Sequence, residues 1–304
     1  MNPVLLVRPG GLGDLMVVLP SLRLLRRLYR DSPLHLAARR EFALLLRDAA
    51  VVDEVHSLDD RTFSPLFTDD PSLDAAPRLH GETPAALWSW FFRPPSGPFP
   101  KSAAALVPGA AHVIVYDSSA GRPMSRDWFE RTAAAAGRPV SDEDFEACAR
   151  LPRSGSPRPK PSDRPYAIVH PGSGGRNKRW PAERFVAIVD VLAGRGVAGL
   201  LVTGPAEEDG EWESRQLPPG WHRYPSPPLD ELADRLSACV LYVGNDSGVT
   251  HLAAAAGAPT LALYLDENLP AWRPFGRATV LHAPHTASIS FEEVRAAALG
   301  LLPG

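Results

Sequence analysis

Val4-Leu5-Leu6-Val7-Arg8-Pro9-Gly10-Gly11-Leu12-Gly13-Asp14 decides the fold class: an aliphatic run ends in a glycine-rich turn, and a helical pattern follows at once. Leu15, Leu19, Leu22, Leu25 and Leu28 recur at intervals of three or four, one face of an α-helix that reaches Tyr29. Strand, glycine turn and helix make the opening of a βαβ fold. Leu34 to Ala38 reads as a second strand, Glu41 to Asp48 as a second helix and Val51 to Val55 as a short third strand. From Thr62 to Pro100 the pattern degrades into proline-rich, aromatic sequence around Trp88-Ser89-Trp90-Phe91-Phe92. Val113 to Tyr116 restores a strand and Ser125 to Ala136 a helix.

Residues 151–165 carry five prolines in fifteen positions, which neither a helix nor an interior strand accepts, so they read as a stiff linker. The strand-loop-helix rhythm then restarts. Tyr166 to Val169, Gly199 to Thr203, Val240 to Val243 and Thr260 to Tyr264 are the expected strands. Pro181 to Gly194, Leu229 to Ser237, Thr250 to Ala256 and Phe291 to Leu302 are the expected helices. The reading is an α/β chain of two Rossmann-like domains facing a cleft: residues 1–155, residues 166–290, and a closing helix over 291–304. Parallel sheets bind ligands outside the carboxyl ends of their strands, so the strand-to-helix loops are the places to look.

A length of 304 residues fits two domains, and 44% hydrophobic residues suffice for full cores. The net charge of −3 argues against nucleic acid as a partner. Cys148 and Cys239 are too few and too far apart for a disulfide framework or a cysteine-based zinc site, and they fit a reducing compartment. Ser247 to Leu265 lacks Asp, Glu, Lys and Arg, yet His251, Gly257 and Pro259 break it as a membrane span. The apolar run Leu15 to Leu22 follows Asp14 and precedes Arg23, Arg26, Arg27 and Arg30, the reverse of a signal peptide. A cytoplasmic protein is expected, with contact to a membrane surface left open.

Three loops carry the chemistry. Gly11 and Gly13 begin a dinucleotide fingerprint, but Met16 stands where its third glycine belongs. Arg39-Arg40 would suit a 2′-phosphate, which keeps an NADP-linked oxidoreductase as an alternative. Asp14 is either an acid projected from the first helical turn or an N-cap that satisfies orphan amides. His170-Pro171-Gly172-Ser173-Gly174-Gly175-Arg176-Asn177-Lys178-Arg179-Trp180-Pro181 joins glycines to cations with no acidic residue between, a phosphate-binding arrangement that lacks the P-loop ending. Lys101, Lys160 and Lys178 are the lysines of the chain, so a lysine in such a loop stands out. Val243-Gly244-Asn245-Asp246-Ser247-Gly248-Val249-Thr250-His251 places small residues at a helix N-terminus, which favours an anion. Asp246 is expected to turn away and cap amides or orient the loop, and His251 reads as a packed histidine. No Asp-x-Asp pair lies in a suitable loop, so no metal is expected.

Gly10-Gly11-Leu12-Gly13-Asp14, His170-Pro171-Gly172-Ser173 with Lys178-Arg179-Trp180-Pro181, and Gly244-Asn245-Asp246-Ser247-Gly248 with His251-Leu252-Ala253-Ala254-Ala255 resemble glycosyltransferase family 9, the ADP-heptose:lipopolysaccharide heptosyltransferases and their relatives. The likeness runs closely from 166 to about 276 and, in the first domain, over residues 4 to about 56. It implies a GT-B fold without cofactor or metal, and inverting transfer of a heptose-type sugar from an ADP-sugar to a hydroxyl on a glycan or glycolipid at the inner membrane surface. Asp14 then matches the general base. Gly11, Gly13, Ser173, Lys178, Glu208, Asp246, Ser247, Gly248 and His251 fall on the donor-binding side, with Glu208 (or its neighbour Glu207) on the ribose. Residues 57–112 depart from the lipopolysaccharide enzymes, which leaves the acceptor open. A non-catalytic nucleotide-sugar-binding relative would keep Lys178 and Ser247 without using Asp14.

Overall fold

Two parallel sheets organise the chain, one in each of two units, Met1–Pro152 and Arg153–Gly304. The computed structural model describes residues 2–69, 77–152, 165–204, 212 and 215–303. The proline-rich linker therefore lies, from 153 to 164, outside the described residues, as do Glu207 and Glu208. Among the described residues no helix is long and apolar enough to cross a membrane. Cys148 and Cys239 are both free and buried.

The first unit runs β1 (Val4–Val7), α1 (Leu12–Leu28), β2 (Leu34–Ala38), α2 (Arg40–Asp48), β3 (Glu54–Ser57), β4 (Ala86–Phe91), α3 (Phe99–Leu106), β5 (Ala111–Val115), α4 (Met124–Ala135) and α5 (Asp142–Cys148). Its strands lie in the order β3-β2-β1-β4-β5, every pair parallel. A parallel sheet covered on both faces needs strands that are apolar throughout, and all four residues of β1 are fully buried. The third strand starts later than the apolar run suggested. Val51 bonds back to Leu46 in the turn that ends α2, so the buried Val51 and Val52 close the helix, and pairing with β2 begins at Glu54. The proline-rich stretch that showed no periodicity contains β4, between β1 and β5. Aromatic rings fill that position: Trp88 and Trp90 are buried, and the Trp90 indole donates to Thr132 Oγ1 of α4 at 3.0 Å.

The second unit runs β6 (Tyr166–His170), α6 (Ala182–Gly194), β7 (Ala198–Thr203), β8 (Trp221–Pro225), α7 (Leu229–Ala238), β9 (Leu241–Asn245), α8 (Gly248–Ala256), β10 (Thr260–Leu265), α9 (Leu269–Trp272), β11 (Ala278–Ala283) and α10 (Phe291–Leu301). Its order is β11-β10-β9-β6-β7-β8, again wholly parallel. Sequence reading passed over β8 and β11 for one reason. Both are edge strands with largely unburied residues, so neither carries an apolar run. The core joins Trp180, Phe185, Trp221 and Leu192 to Val294 and Ala298 of α10, so the closing helix packs within this unit.

Both orders reverse direction once, between β1 and β4 in the first sheet and between β6 and β9 in the second. A crevice opens at the carboxyl ends of the strands flanking such a reversal, because their helices leave toward opposite faces. The loops singled out by sequence follow β1, β6 and β9.

Candidate functional site

In the second unit, the loops after β6 and β9 are stitched together by a buried amide. Asn245, at the end of β9, accepts from Trp180 N at 3.1 Å and donates from Nδ2 to Pro171 O at 2.7 Å. Ser173 Oγ adds a bond to Asp246 O at 2.7 Å. The close approach requires a small residue in β9. A Cβ on Gly244 would stand 2.9 Å from His170 O and 2.3 Å from Tyr242 Oη. Lys178, on a single 3-10 turn (Arg176–Lys178), then reaches across with its ammonium 2.8 Å from Asp246 Oδ2. Asn268 Nδ2 donates to the same oxygen at 3.0 Å.

Ser247 is the N-cap of α8, its Oγ accepting from Thr250 N at 3.3 Å. Helix geometry leaves the first-turn N–H groups, Gly248 among them, without acceptors inside the helix. Those dipoles supply positive potential beside the β6–β9 reversal, and Lys178, although paired with Asp246, is 32% exposed and keeps further N–H donors, an arrangement that suits a diphosphate. His170 closes the floor. It is buried, and burial lowers its pKa to about 4, so the ring is neutral at physiological pH and lies 3.4 Å from Ser247 Oγ.

In the first unit, Asp14 sits at the third position of α1, and the N-cap is Gly11. Its Oδ2 accepts from Gly11 N at 2.8 Å, while Oδ1 pairs with Arg8 Nη2 at 2.5 Å. Arg8 is 3% exposed, donates to Trp90 O at 2.9 Å and lies over the Trp128 ring. Burial lowers the guanidinium pKa to about 10, with Asp14 acting in the opposite direction. Asp14 itself keeps 27% of its side-chain surface exposed. Its carboxylate folds back over Gly10, whose φ is +119° and whose place a Cβ could take only at 2.4 Å from the Asp14 carboxyl carbon. Gly10 is thus the glycine this turn demands.

The structure brings Ser173, Lys178, Asp246, Ser247 and Gly248 together in the second unit and puts Gly11, Gly13 and Asp14 on one turn of the first. His251 lies buried, with Nε2 3.3 Å from Tyr264 Oη and its ring near Trp272, as a packed histidine does. Asp246 pairs with Lys178 and Asn268 and so orients the loop, one of the two roles expected of it, while Ser247 does the capping. Asp14 is not itself the N-cap, yet as the third residue of α1 it satisfies the Gly11 amide, and it is also paired with the buried Arg8. Sequence reading gave no role to Arg8, Gly10, Asn245 or Asn268. Asn245 stood in plain sight inside the third motif, and only the contact between loops reveals its work. Nor did sequence reveal the one cluster with metal-ligating spacing among the described residues, His35, Glu54 and His56 on the first sheet. Arg40 donates to Val55 O at 3.1 Å and Arg39 pairs with Glu41 at 2.8 Å, so both cations set aside for a 2′-phosphate have protein partners.

The profile of glycosyltransferase family 9 (heptosyltransferase) matches residues 104–298. A lipopolysaccharide heptosyltransferase 3 of Escherichia coli is 28% identical over 115 residues, 36% of this chain and 34% of that protein. Such alignments span about a third of the length of the curated relatives. In three dimensions the likeness extends over nearly the whole chain. A family 9 glycosyl transferase from Veillonella parvula superposes with a TM-score of 0.76 at 19% identity, covering 99% of this chain and 97% of that one. An Escherichia coli heptosyltransferase, WaaC, solved with ADP, gives 0.70 at 16% identity over 98% and 99%. At these identities the superpositions speak for the fold, two parallel α/β sheets of the GT-B class.

Proposed function

Because the chain belongs to glycosyltransferase family 9, we propose that it transfers a heptose-type sugar from an ADP-sugar to a hydroxyl of a glycan or glycolipid, with inversion and without a metal at the diphosphate. The observation that carries the reading is the second unit's switch-point loop pair, in which Asn245 binds the two loops and Asp246 presents Lys178 beside the N-terminus of α8. Lys178 and the first-turn amides of α8 take the diphosphate, with Gly248 allowing close approach. Ser173, Asp246 and His251 hold that surface in shape, and Glu208 is assigned to the ribose.

Asp14 is assigned the base. One carboxylate oxygen is oriented by Arg8 and the other by Gly11 N, and each retains a lone pair. The acceptor oxygen attacks the anomeric carbon from the face opposite the nucleotide, and Asp14 takes its proton. The bond to the diphosphate oxygen breaks, its electron pair leaving with the nucleotide. Charge building on that leaving group is met by fixed dipoles and the ammonium.

The ADP complex of WaaC supports this donor, and the lipopolysaccharide heptosyltransferases among the relatives support a glycan or glycolipid acceptor. A thermal-shift series with ADP, UDP, GDP and NADP tests the reading. ADP is expected to raise the melting temperature most, and by the same amount with and without magnesium. A larger response to UDP or NADP would overturn the donor assignment, and an ADP response that depends on magnesium would overturn metal independence.

A further inference from the structure

We propose that His35, Glu54 and His56, with His80 as fourth donor, form a transition-metal site of the zinc type on the edge of the first sheet. The backbone explains the grouping. Residues two apart on a strand share a face, which aligns Glu54 with His56 on β3. The parallel register sets His35 of β2 opposite Glu54. His35 Nδ1 lies 2.9 Å from His56 Nε2, and each of these nitrogens lies 4.0 Å from Glu54 Oε2. The corner-to-corner distance in a tetrahedral site with bonds near 2.1 Å is about 3.4 Å. The three observed separations bracket it, as expected of a ligand set that closes on an ion.

His80 arrives from a separate segment. It sits in a two-residue turn closed by paired hydrogen bonds between Leu79 and Glu82, with φ of +52° at His80 and +85° at Gly81. A left-handed histidine is uncommon, and this one sets Nε2 2.7 Å from Glu54 Oε2. Three imidazoles therefore converge on one carboxylate oxygen. The 2.9 Å contact means that one of the two facing nitrogens carries the shared hydrogen, which would move to that ring's other nitrogen when an ion binds. Imidazole nitrogen with one carboxylate selects zinc-like ions over magnesium or calcium, which take oxygen ligands. A bound ion would fasten the 79–82 turn and the edge strand β3 to β2. This is separate from the proposed transfer reaction.

The test uses the full chain stripped with a chelator and titrated with zinc chloride, followed by calorimetry and thermal melting. Uptake of one equivalent with a rise in melting temperature of several degrees is expected, with no response to magnesium. Cobalt in place of zinc should give the visible absorption of a four-coordinate site. His56→Ala and Glu54→Gln, both at partly exposed positions, should weaken zinc binding at least tenfold while keeping the circular dichroism spectrum and a cooperative metal-free melt, which shows that each variant is folded. His80→Ala should weaken it less. Absence of saturable uptake, or equal uptake by wild type and both variants, would overturn the site.

Discussion

The Lys178 ammonium lies 2.8 Å from the Asp246 carboxylate, so the cation of one loop is aimed by the acid of the other. Asp246 is itself fixed through Asn268 Nδ2 and through its own N–H, which bonds to Leu263 O at 2.9 Å. Lys178→Ala should weaken ADP binding by about 1.5–3 kcal/mol, the worth of a hydrogen bond to a charged group. Asp246→Ala should weaken it less, by loss of aim. Because the acid acts through the lysine, the double variant should bind no worse than Lys178→Ala alone. Calorimetry on the three proteins checks this, and additive losses would separate the two residues.

Asn245 is fully buried and joins Trp180 N to Pro171 O. Asn245→Ala leaves a buried donor and a buried acceptor unmatched, at about 1–3 kcal/mol each. For a protein of this size each kcal/mol shifts the melting temperature by about 2–4 °C. A drop of several degrees together with weaker ADP binding is expected in thermal melts and calorimetry. A variant with wild-type melting and ADP affinity would remove Asn245 from the link.

What sequence revealed and what it hid follow from burial. Strands covered on both faces, such as Val4–Val7 and Thr260–Leu265, are continuous apolar runs and stand out. Edge strands need no such run, which is why Trp221–Pro225 and Ala278–Ala283 escaped notice. Ala86–Phe91 escaped because its space is filled by two indoles amid prolines. The loops proposed to hold the donor were legible as glycine, lysine and small-residue motifs. The couplings were not, since Lys178 with Asp246, Arg8 with Trp90 and His35 with Glu54 are set by register and loop contact rather than spacing.

Buried His170 is expected to make the second unit acid-sensitive. Burial lowers its pKa to about 4 from an ordinary value near 6.5, so the unfolded chain binds a proton that the folded chain refuses. Its contribution is fully present above about pH 6.5 and is lost as pH falls toward 4, a loss of about 3 kcal/mol over that window. His35, His56 and His112 shift in the same direction, so the comparison must be with a variant. Denaturant unfolding at pH 7.5 and pH 5 should show a smaller difference for His170→Gln than for wild type. Equal differences would mean that His170 does not set the acid limit.

Asp14 links stability to the proposed chemistry, because its partner Arg8 is a buried cation. Asp14→Asn keeps an acceptor for Gly11 N but removes the charge opposite Arg8, so a lower melting temperature is expected whatever the catalytic role. Nucleotide affinity should stay near wild type, since Lys178 and α8 belong to the other unit. The deciding measurement is the initial rate of ADP release from ADP-heptose with a glycan or glycolipid acceptor on which the wild type turns over, taken well below the melting point of either protein. Asp14→Asn is predicted to bind ADP normally and to lose about 10²–10⁴-fold in rate, the usual worth of a positioned base. A folded, ADP-binding variant that turns over at the wild-type rate would contradict the assignment of Asp14 as the base.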